Sequence, residues 1–451
     1  MPAFHPHTDD EIARMLAFCG LESLDELWSA VPEVLRLSQP LAIASSLSEP
    51  DVLGRMDDLA RANRPTGRDL VCFAGGGAYD HDVPSVVRRV AFRAEYVTAY
   101  TPYQPEVAQG VLQALFEYQT IVSRLAGVPI ANASLYDGAT ACVEAVNLAV
   151  AAAGRQTVWV SQGIHPTWRE TVRTFAAGTG HLIVEIPLGP DGRTAWPIAV
   201  EGEAPAALLV GYPNHLGVVE DLAAARAVAD GHGALLLAAF DPVSVGLLRS
   251  PGSYGADVVV GEGQPFGTPL SFGGPYLGLF ACKAEHVRRL PGRLVGQTVD
   301  HEGRTAYVTT LRTREQDIRR EKASSNVCTN QTLIAVCAVI HLGWLGTAGL
   351  AELALRCARG TRYTREALLA IDGVTAVATG PVVREFAIRL PAGGPTAAAL
   401  VDRLTEEGFL AGIPLAPEYG AGEHGLLVAV TEKRTRAEID AFAASMEKAV
   451  R

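Results

Sequence analysis

Short apolar runs recur through the middle of the chain, separated by helical segments or by glycine and proline. The runs are rich in Val, Ile and Leu, which is typical of strands buried on both faces of a parallel sheet. The pattern therefore predicts an α/β protein with a mostly parallel sheet. The predicted strands are 157–161, 181–188, 207–212, 234–241, 257–261 and 277–282.

Apolar residues at helical spacing precede the first predicted strand. The segment opens with Pro105 and Glu106 and stops at Gly127, and both are helix boundary signals. The spacing predicts an amphipathic helix over 105–126, and a second helix is predicted after Gly138. The apolar positions of the first helix are Val107, Val111, Leu115, Tyr118, Val122 and Leu125.

The pattern changes toward both ends of the chain. Residues 1–60 hold short helical segments with acidic first turns, which suits an arm that wraps another surface. The last part of the chain alternates helices and strands on a smaller scale. The predicted domains are an N-terminal helical arm (1–60), a large sheet domain (61–328) and a small C-terminal α/β domain (329–451). The elements predicted in the small domain are helix 348–370, strand 384–390, helix 396–407, strand 426–431 and helix 436–450.

One stretch, 333–350, is long and apolar enough to suggest a membrane span. However, Gly343, Gly346 and Gly349 lie where a buried helix starting near Asn330 would end, and no second stretch of this kind occurs. We therefore predict a core helix and no membrane partner.

The composition narrows the possible partners. The chain has 451 residues, 48% of them hydrophobic, and a formal net charge of −11, which excludes disorder over most of its length. Its scattered arginines predict no nucleic-acid partner, because nucleic acids require a basic patch. Seven cysteines without a C-x-x-C pair and an N-terminus unlike a signal peptide predict a cytoplasmic protein without a bound metal.

A polar turn into a helix is the first candidate binding feature. Ser134, Asp137 and Gly138 precede the second predicted helix, whose first N–H groups can seat an anion. An ordinary capped helix explains the same residues.

Polar residues also follow three of the predicted strands. His165, Asp241 and the segment 261–267, which contains Gln264, all fall at the carboxyl ends of strands. Open α/β sheets bind ligands at this edge. Taken one at a time, a loop histidine, a capping aspartate and a turn glycine are also explained as structural.

The order of these features resembles fold type I pyridoxal-phosphate enzymes of the aspartate aminotransferase type. That fold has a phosphate-seating helix start, a ring-stacking side chain, an aspartate on the pyridine nitrogen and a Schiff-base lysine. Five segments are similar to the glycine cleavage system P-protein family, glycine dehydrogenase (decarboxylating), and the resemblance runs nearly end to end. They are GAYDH (77–81), AYTPYQPE (99–106), NASLYDGAT (132–140), GEGQ (261–264) and REKASSNVCT (320–329).

The resemblance also shows that the Schiff-base lysine is missing. In the family this lysine follows a histidine and precedes a Gly-Gly-Pro segment, and aligning that segment with 273–275 places Gln264 at the lysine position. Glutamine cannot form an imine. The chain therefore resembles subunit 1 (alpha) of the two-subunit P-protein, whose subunit 2 (beta) carries pyridoxal phosphate. The four lysines lie elsewhere, at Lys283, Lys322, Lys433 and Lys448.

The resemblance implies an active site shared with subunit 2, in an α2β2 assembly, with no catalytic residue on this chain. The implied reaction removes CO2 from glycine and passes the aminomethyl group to the lipoyl arm of H-protein, so lipoamide is a co-substrate. Because fold type I sites lie at subunit interfaces, two segments are implied to contact the partner's cofactor in trans. The residues are Tyr100, Tyr103 and Gln104, and then Lys322, Ser324, Asn326 and Thr329.

This chain's own pocket is then interpreted as a relic, that is, a former cofactor pocket that no longer binds the cofactor. Arg384 is a further candidate for holding a substrate carboxylate, although the family pattern has Asn there.

Three alternatives stay open. The tyrosines and Lys322 only pack or pair at an interface, the chain is a structural or regulatory subunit, or it is a stand-alone lysine-free protein that binds a ligand. The relic positions are Ser134, Asp137, Gly138, His165 and Asp241.

Overall fold

A computed structural model describes residues 7–39, 41–97, 101–197 and 202–451, and the chain divides into two units, Met1–Asn63 and Arg64–Arg451. The α-helices are α1 (Asp9–Cys19), α2 (Glu49–Arg61), α3 (Ser85–Ala91), α4 (Ala94–Val97), α5 (Gln109–Ala126), α6 (Gly138–Ala153), α7 (Pro166–Thr179), α8 (Leu222–Gly231), α9 (Gln316–Arg319), α10 (Thr332–Leu369), α11 (Ala397–Glu406) and α12 (Arg436–Val450). The strands are β1 (Val71–Cys72), β2 (Ile130–Ala131), β3 (Thr157–Ser161), β4 (Leu182–Ile186), β5 (Ala207–Tyr212), β6 (Leu235–Phe240), β7 (Val258–Glu262), β8 (Gly278–Cys282), β9 (Leu294–Val299), β10 (Thr305–Thr310), β11 (Thr375–Ala376), β12 (Glu385–Arg389), β13 (Phe409–Leu410), β14 (Ile413–Pro414) and β15 (Gly425–Ala429).

The first unit holds α1 and α2, and each begins at a side-chain cap. Thr8 and Glu11 form a capping box at α1, and Ser48 caps α2. None of the described residues of this unit is buried, and Phe18 and Val34 are 94% and 89% exposed. That this unit is an arm on another surface stays a prediction.

The second unit is built on a seven-stranded sheet with the order β2-β8-β7-β6-β5-β3-β4. Strands β3 to β7 are parallel, whereas β8 is antiparallel to β7 and β2 is antiparallel to β8. Side chains alternate between the two faces, so Trp159 joins one core cluster with α5, α8 and α10, and Val158 and Val160 join another with α6 and α7. The sheet is therefore covered on both faces, as its apolar runs predicted.

The predicted start of the first amphipathic helix is wrong by four residues. Pro105–Val107 form a 3₁₀ turn, and α5 begins only at Gln109, because Ala108 has a non-helical backbone with φ −125°. The side chain of Gln109 donates to the carbonyl of Pro105 at 2.7 Å, which holds this break in place. The end at Ala126, before Gly127 in the left-handed conformation, is as predicted.

The apolar stretch near 340 belongs to α10, which is long and apolar enough to span a membrane by length and composition alone. The helix is kinked at Gly346, where φ is 60° and ψ −175°. Ala335, Ala338 and Leu342 lie in the core cluster that also contains α5. In this structure α10 is thus a core helix that bends between its two halves.

A second, antiparallel sheet with the order β11-β12-β15-β14 packs with α11 and α12 near the C-terminus. Phe73 stacks on Phe442 with ring centroids 4.0 Å apart, and β1 pairs with β13. Residues close to position 70 therefore pack with the second sheet and with α12. The division at 328 stays a prediction.

Candidate functional site

A small cavity lies at the carboxyl ends of the parallel strands, where ligands bind in this class of sheet. Its volume is about 80 Å³, and its walls include His165, Asp241 and Glu262 from the large sheet and Arg384 and Glu385 from the second sheet. The structure thus brings His165 and Asp241 together, as expected from their positions after strands. Small-molecule pockets are usually larger, roughly 300–1,000 Å³.

The helix start at Gly138 already has an anion-like partner. The backbone N–H of Gly138 donates to Oε2 of Glu262 at 2.9 Å, and the N–H of Thr140 donates to the capping residue Asp137 at 2.7 Å. The other oxygen of Glu262 accepts from Gln264 N–H at 2.9 Å and Leu277 N–H at 2.8 Å. Burial raises the pKa of Glu262 to about 8, against the effect of these N–H groups. A carboxyl group of the chain itself therefore fills the seat that a phosphate needs.

Two further side chains close the same place. A Cβ atom added at Gly138 would collide with the ring of Trp168, so this ring covers the helix start. His165 caps α7 through Nδ1, which accepts from Thr167 N–H at 3.2 Å. Burial lowers the pKa of His165, so its imidazole favours the neutral form.

Asp241, the residue expected to face a pyridine nitrogen, is paired inside the protein. Arg384 donates to it at 2.8 Å from Nη2, and its Nη1 donates to Nε2 of His81 at 2.5 Å. The guanidinium carbon of Arg384 lies 3.5 Å from the ring centroid of Tyr79. His81 in turn bonds through Nδ1 to Glu432 at 2.6 Å. Arg384 is thus committed to this network rather than presented to a substrate.

Gln264 is fully buried and bonded through both ends of its amide. Its oxygen accepts from Tyr79 N–H at 2.9 Å, and its nitrogen donates to the carbonyls of Tyr79 at 3.1 Å and Thr268 at 2.7 Å. An amide can accept and donate at once, which a lysine ammonium cannot. At this position Gln264 ties the segment after β7 to the segment around Tyr79.

These residues do not fit pyridoxal phosphate. No amine is present at position 264, Glu262 fills the anion seat, and Arg384 already neutralises Asp241. A phosphate would meet a buried carboxyl group, and a pyridinium would compete with a guanidinium. Side chains of this chain already occupy or neutralise the groups that the cofactor would bind.

Ser134 lies on the other side of the helix start, although the sequence grouped it with this pocket. Its backbone has φ 105°, and its Oγ accepts from Asn330 Nδ2 at 3.1 Å and Gln331 N–H at 3.2 Å. This serine therefore anchors the chain segment that leads into α10.

The two segments expected to act in trans are joined by Arg293, which the sequence reasoning missed. Arg293 is 3% exposed and donates to the hydroxyl of Tyr103 at 2.9 Å, the carbonyl of Cys328 at 3.2 Å and Oδ1 of Asn330 at 3.1 Å. The centroid of the Tyr103 ring lies 4.8 Å from the guanidinium carbon of Arg293 and 5.3 Å from that of Arg312. Arg293 follows Pro-Gly in the sequence, and no motif around it indicated that it would connect these two segments.

The remaining predicted residues have simpler settings. Gln104, Ser324 and Asn326 are exposed and Thr329 is half-buried. Lys322 is exposed and lines, with Ser324, a second cavity that lies apart from the first. Tyr100 lies outside the described residues.

Two clusters of the described residues have metal-ligand chemistry, but internal partners engage both. In the first, His81, Cys357 and Glu432, Nε2 of His81 faces Arg384. In the second, Asp257 accepts from Arg226 at 2.7 Å and Lys283 at 2.5 Å. Neither cluster offers a free set of ligands.

The sheet order and the pocket at its carboxyl edge define the class, a fold type I pyridoxal-phosphate transferase fold. At the level of the fold, a sphingosine-1-phosphate lyase from Burkholderia pseudomallei aligns with a TM-score of 0.66 and 14% identity over 94% of each chain.

Closer comparisons define the family. The family profile described as glycine cleavage system P-protein matches residues 3–446. Proteins named probable glycine dehydrogenase (decarboxylating) subunit 1 are similar, with 46% identity in Prosthecochloris aestuarii (97% of this chain and 98% of that one) and 46% in Moorella thermoacetica (98% of each). The crystal structure of a glycine decarboxylase (P-protein) in inhibitor-bound form aligns with a TM-score of 0.92 and 44% identity, covering 99% of this chain and 100% of that chain. The chain belongs to the glycine cleavage system P-protein family.

Proposed function

We propose that this chain is the lysine-free subunit 1 of a two-subunit glycine dehydrogenase (decarboxylating), and that it completes the active site of a subunit 2 that holds pyridoxal phosphate. The observation that carries the proposal is Gln264, which is buried and bonded at both ends of its amide. The resemblance to the family implies that this residue replaces the Schiff-base lysine. The names of relatives that match over nearly their whole length support the same assignment.

In the assembly, cytoplasmic and α2β2, the reaction removes CO2 from glycine and transfers the aminomethyl group to the lipoyl arm of H-protein, so lipoamide is the co-substrate. The cofactor on subunit 2 supplies the electron sink. This chain supplies position and charge. Arg293 holds Tyr103, which remains 46% exposed, and Lys322 and Ser324 offer a cation and a hydroxyl of the kind that binds phosphate.

The test combines the purified chain with a lysine-bearing subunit 2. We expect the free chain to gain no absorbance band and no borohydride-reducible adduct with pyridoxal phosphate, whereas the mixture forms a larger complex and releases CO2 from glycine. Tyr103→Phe and Lys322→Met should each lower CO2 release about tenfold, as expected for one lost charge-assisted hydrogen bond. Sizing of the complex should be unchanged.

Lys448→Met is the matched control, because Lys448 is an exposed lysine on α12 without an ion pair among the described residues. A structural or regulatory subunit predicts full turnover in all three variants, and that result would overturn the proposed role. A reducible adduct on the free chain would instead favour a stand-alone protein that binds the cofactor.

A further inference from the structure

A second cavity, of about 200 Å³, is surrounded by positive charge. It is lined by Arg288, Arg314, Arg319 and Lys322, together with the hydroxyl-bearing Thr313 and Ser324. Arg288 comes from the 3₁₀ helix Ala284–Arg289, whereas the others come from the loop that contains α9. Two parts of the chain that are far apart in sequence therefore bring cations to one place.

These cations form no ion pair within the described parts of the chain. No acidic side chain lines the cavity, and Arg288, Arg319 and Lys322 form no ion pair there. The neighbouring Arg312, by contrast, pairs with Asp317 at 2.6 Å. The cluster is also local, because the whole chain carries a net charge of −11.

Arg314 is the most informative member. Its Nη1 donates to the carbonyl of Leu290, but Nε and Nη2 are buried and have no partner among the described residues. Glu315 acts on Arg314 through its charge, but it forms no ion pair with it and does not line the cavity. Burial lowers the pKa of Arg314, and the charge of Glu315 offsets only part of this effect. Buried guanidinium N–H groups are normally satisfied, so this arrangement lacks an acceptor.

The chemistry of the missing acceptor follows from the lining. Guanidinium groups and hydroxyls together match the oxygens of a phosphate or carboxylate, to which arginine donates two parallel bonds. A cavity of about 200 Å³ has room for such a group but not for a folded partner domain.

We propose that Arg288, Arg314, Arg319 and Lys322 form an oxyanion-binding site that receives the phosphate or carboxylate group of a ligand held by subunit 2. The site lies in the loop that contains Lys322 and Ser324, and Arg293 fixes the end of this loop at Cys328. The assignment of the anion to subunit 2 rests on the proposed function. The anion site itself does not, because all of its residues belong to this chain.

The first experiment uses the free chain and inorganic phosphate, titrated calorimetrically at constant ionic strength. Wild type should bind phosphate saturably, and Arg314→Met and Arg319→Gln should each raise the dissociation constant about tenfold. Arg319→Gln keeps the test valid if Arg314→Met folds poorly, because Arg319 is exposed. Arg359→Gln, at an exposed arginine of α10 without a described ion pair, should leave the dissociation constant unchanged. Absence of saturable binding, or an equal loss in Arg359→Gln, overturns the site.

The second experiment uses the complex with subunit 2 and separates the two sources of the anion. If the group is the cofactor phosphate, Arg319→Gln raises the dissociation constant of pyridoxal phosphate from the complex and leaves the KM for glycine unchanged. If it is the glycine carboxylate, the KM changes and cofactor binding does not. If neither changes while the free chain binds phosphate, the anion does not come from subunit 2, and that part of the inference is overturned even where the proposed function holds.

Discussion

The pocket at the edge of the large sheet and the cavity around Arg314 both present N–H groups suited to an oxyanion, but they are completed differently. In the pocket, Glu262 fills the helix start and Arg384 neutralises Asp241. Around the cavity, Arg319 and Lys322 have no counter-ion among the described residues. Breaking a charge pair inside the chain costs stability, whereas the exposed charges of the cavity can be removed without that cost, and we attribute them to binding.

Breaking the ion pair between Arg384 and Asp241 in the pocket should give the largest loss in the free energy of unfolding. Arg384→Met leaves Asp241, whose side chain is only 13% exposed, without a counter-ion, and removing one partner of a buried pair costs about 3–5 kcal/mol. Denaturant titration measures the free energy of unfolding. Arg319→Gln, in the open cavity, should leave that free energy unchanged, and so should Arg362→Met, whose pair with Glu366 is exposed. Equal losses in Arg384→Met and Arg319→Gln would remove the distinction between the two regions.

Removing the carboxyl group of Glu262 should free the helix start at Gly138 to bind an anion. Glu262→Ala leaves three backbone N–H groups without their acceptor, which we expect to lower the free energy of unfolding by about 2–3 kcal/mol. Inorganic phosphate should then restore part of this loss by binding at Gly138, because a ligand that binds only the folded state stabilises it.

The control for this rescue is chloride at the same ionic strength, which should not restore stability. Wild type should show no phosphate stabilisation from this pocket, and the double variant Glu262→Ala/Arg319→Gln separates it from the Arg314 cavity. If phosphate fails to stabilise Glu262→Ala in that background, the carboxyl group of Glu262 does not occupy an anion seat.

The change in stability per pH unit, for one carboxyl group, should be the smallest of these effects. Burial raises the pKa of Glu262 to about 8 and of Glu385 to about 7, so the folded chain keeps protons that the unfolded chain has released. Stability should therefore fall as the pH rises from about 5 to about 8, by up to about 1.4 kcal/mol per pH unit for each carboxyl group. Glu385→Gln should make the slope of unfolding free energy against pH shallower. An unchanged slope in this variant would show that Glu385 is not protonated in the folded chain.

The sequence predicted the framework of the site better than its contents. The turn before 138 predicted a helix start, and short apolar runs placed Asp241 and the segment 261–267 at the ends of strands, since both signals are local. The bond from Gly138 to Glu262 joins residues 124 apart, and the pair of Arg384 with Asp241 joins residues 143 apart. The periodicity of apolar residues does not indicate which side chains distant in sequence contact each other. The contacts that fill the pocket were therefore visible only in the structure.

The same limit explains Arg293 and Ser134. Ser134 was expected in the pocket because it precedes the helix, but its left-handed backbone turns the hydroxyl toward Asn330. Arg293 had no distinguishing neighbours in sequence and gains its importance only from three bonds to distant segments.

The first unit has a consequence for how the chain is produced. None of the described residues of this unit is buried, and the side chains of Phe18, Trp28 and Val34 are exposed, so we expect the described residues 7–39 and 41–63 to be a target for proteases and a site of aggregation. Expression of this chain by itself should yield trimming within this segment and a resistant remainder from about Arg64. If the proposed subunit 2 covers this segment, co-expression with it should protect the segment, and the supply of the partner would then determine how much intact chain a cell accumulates.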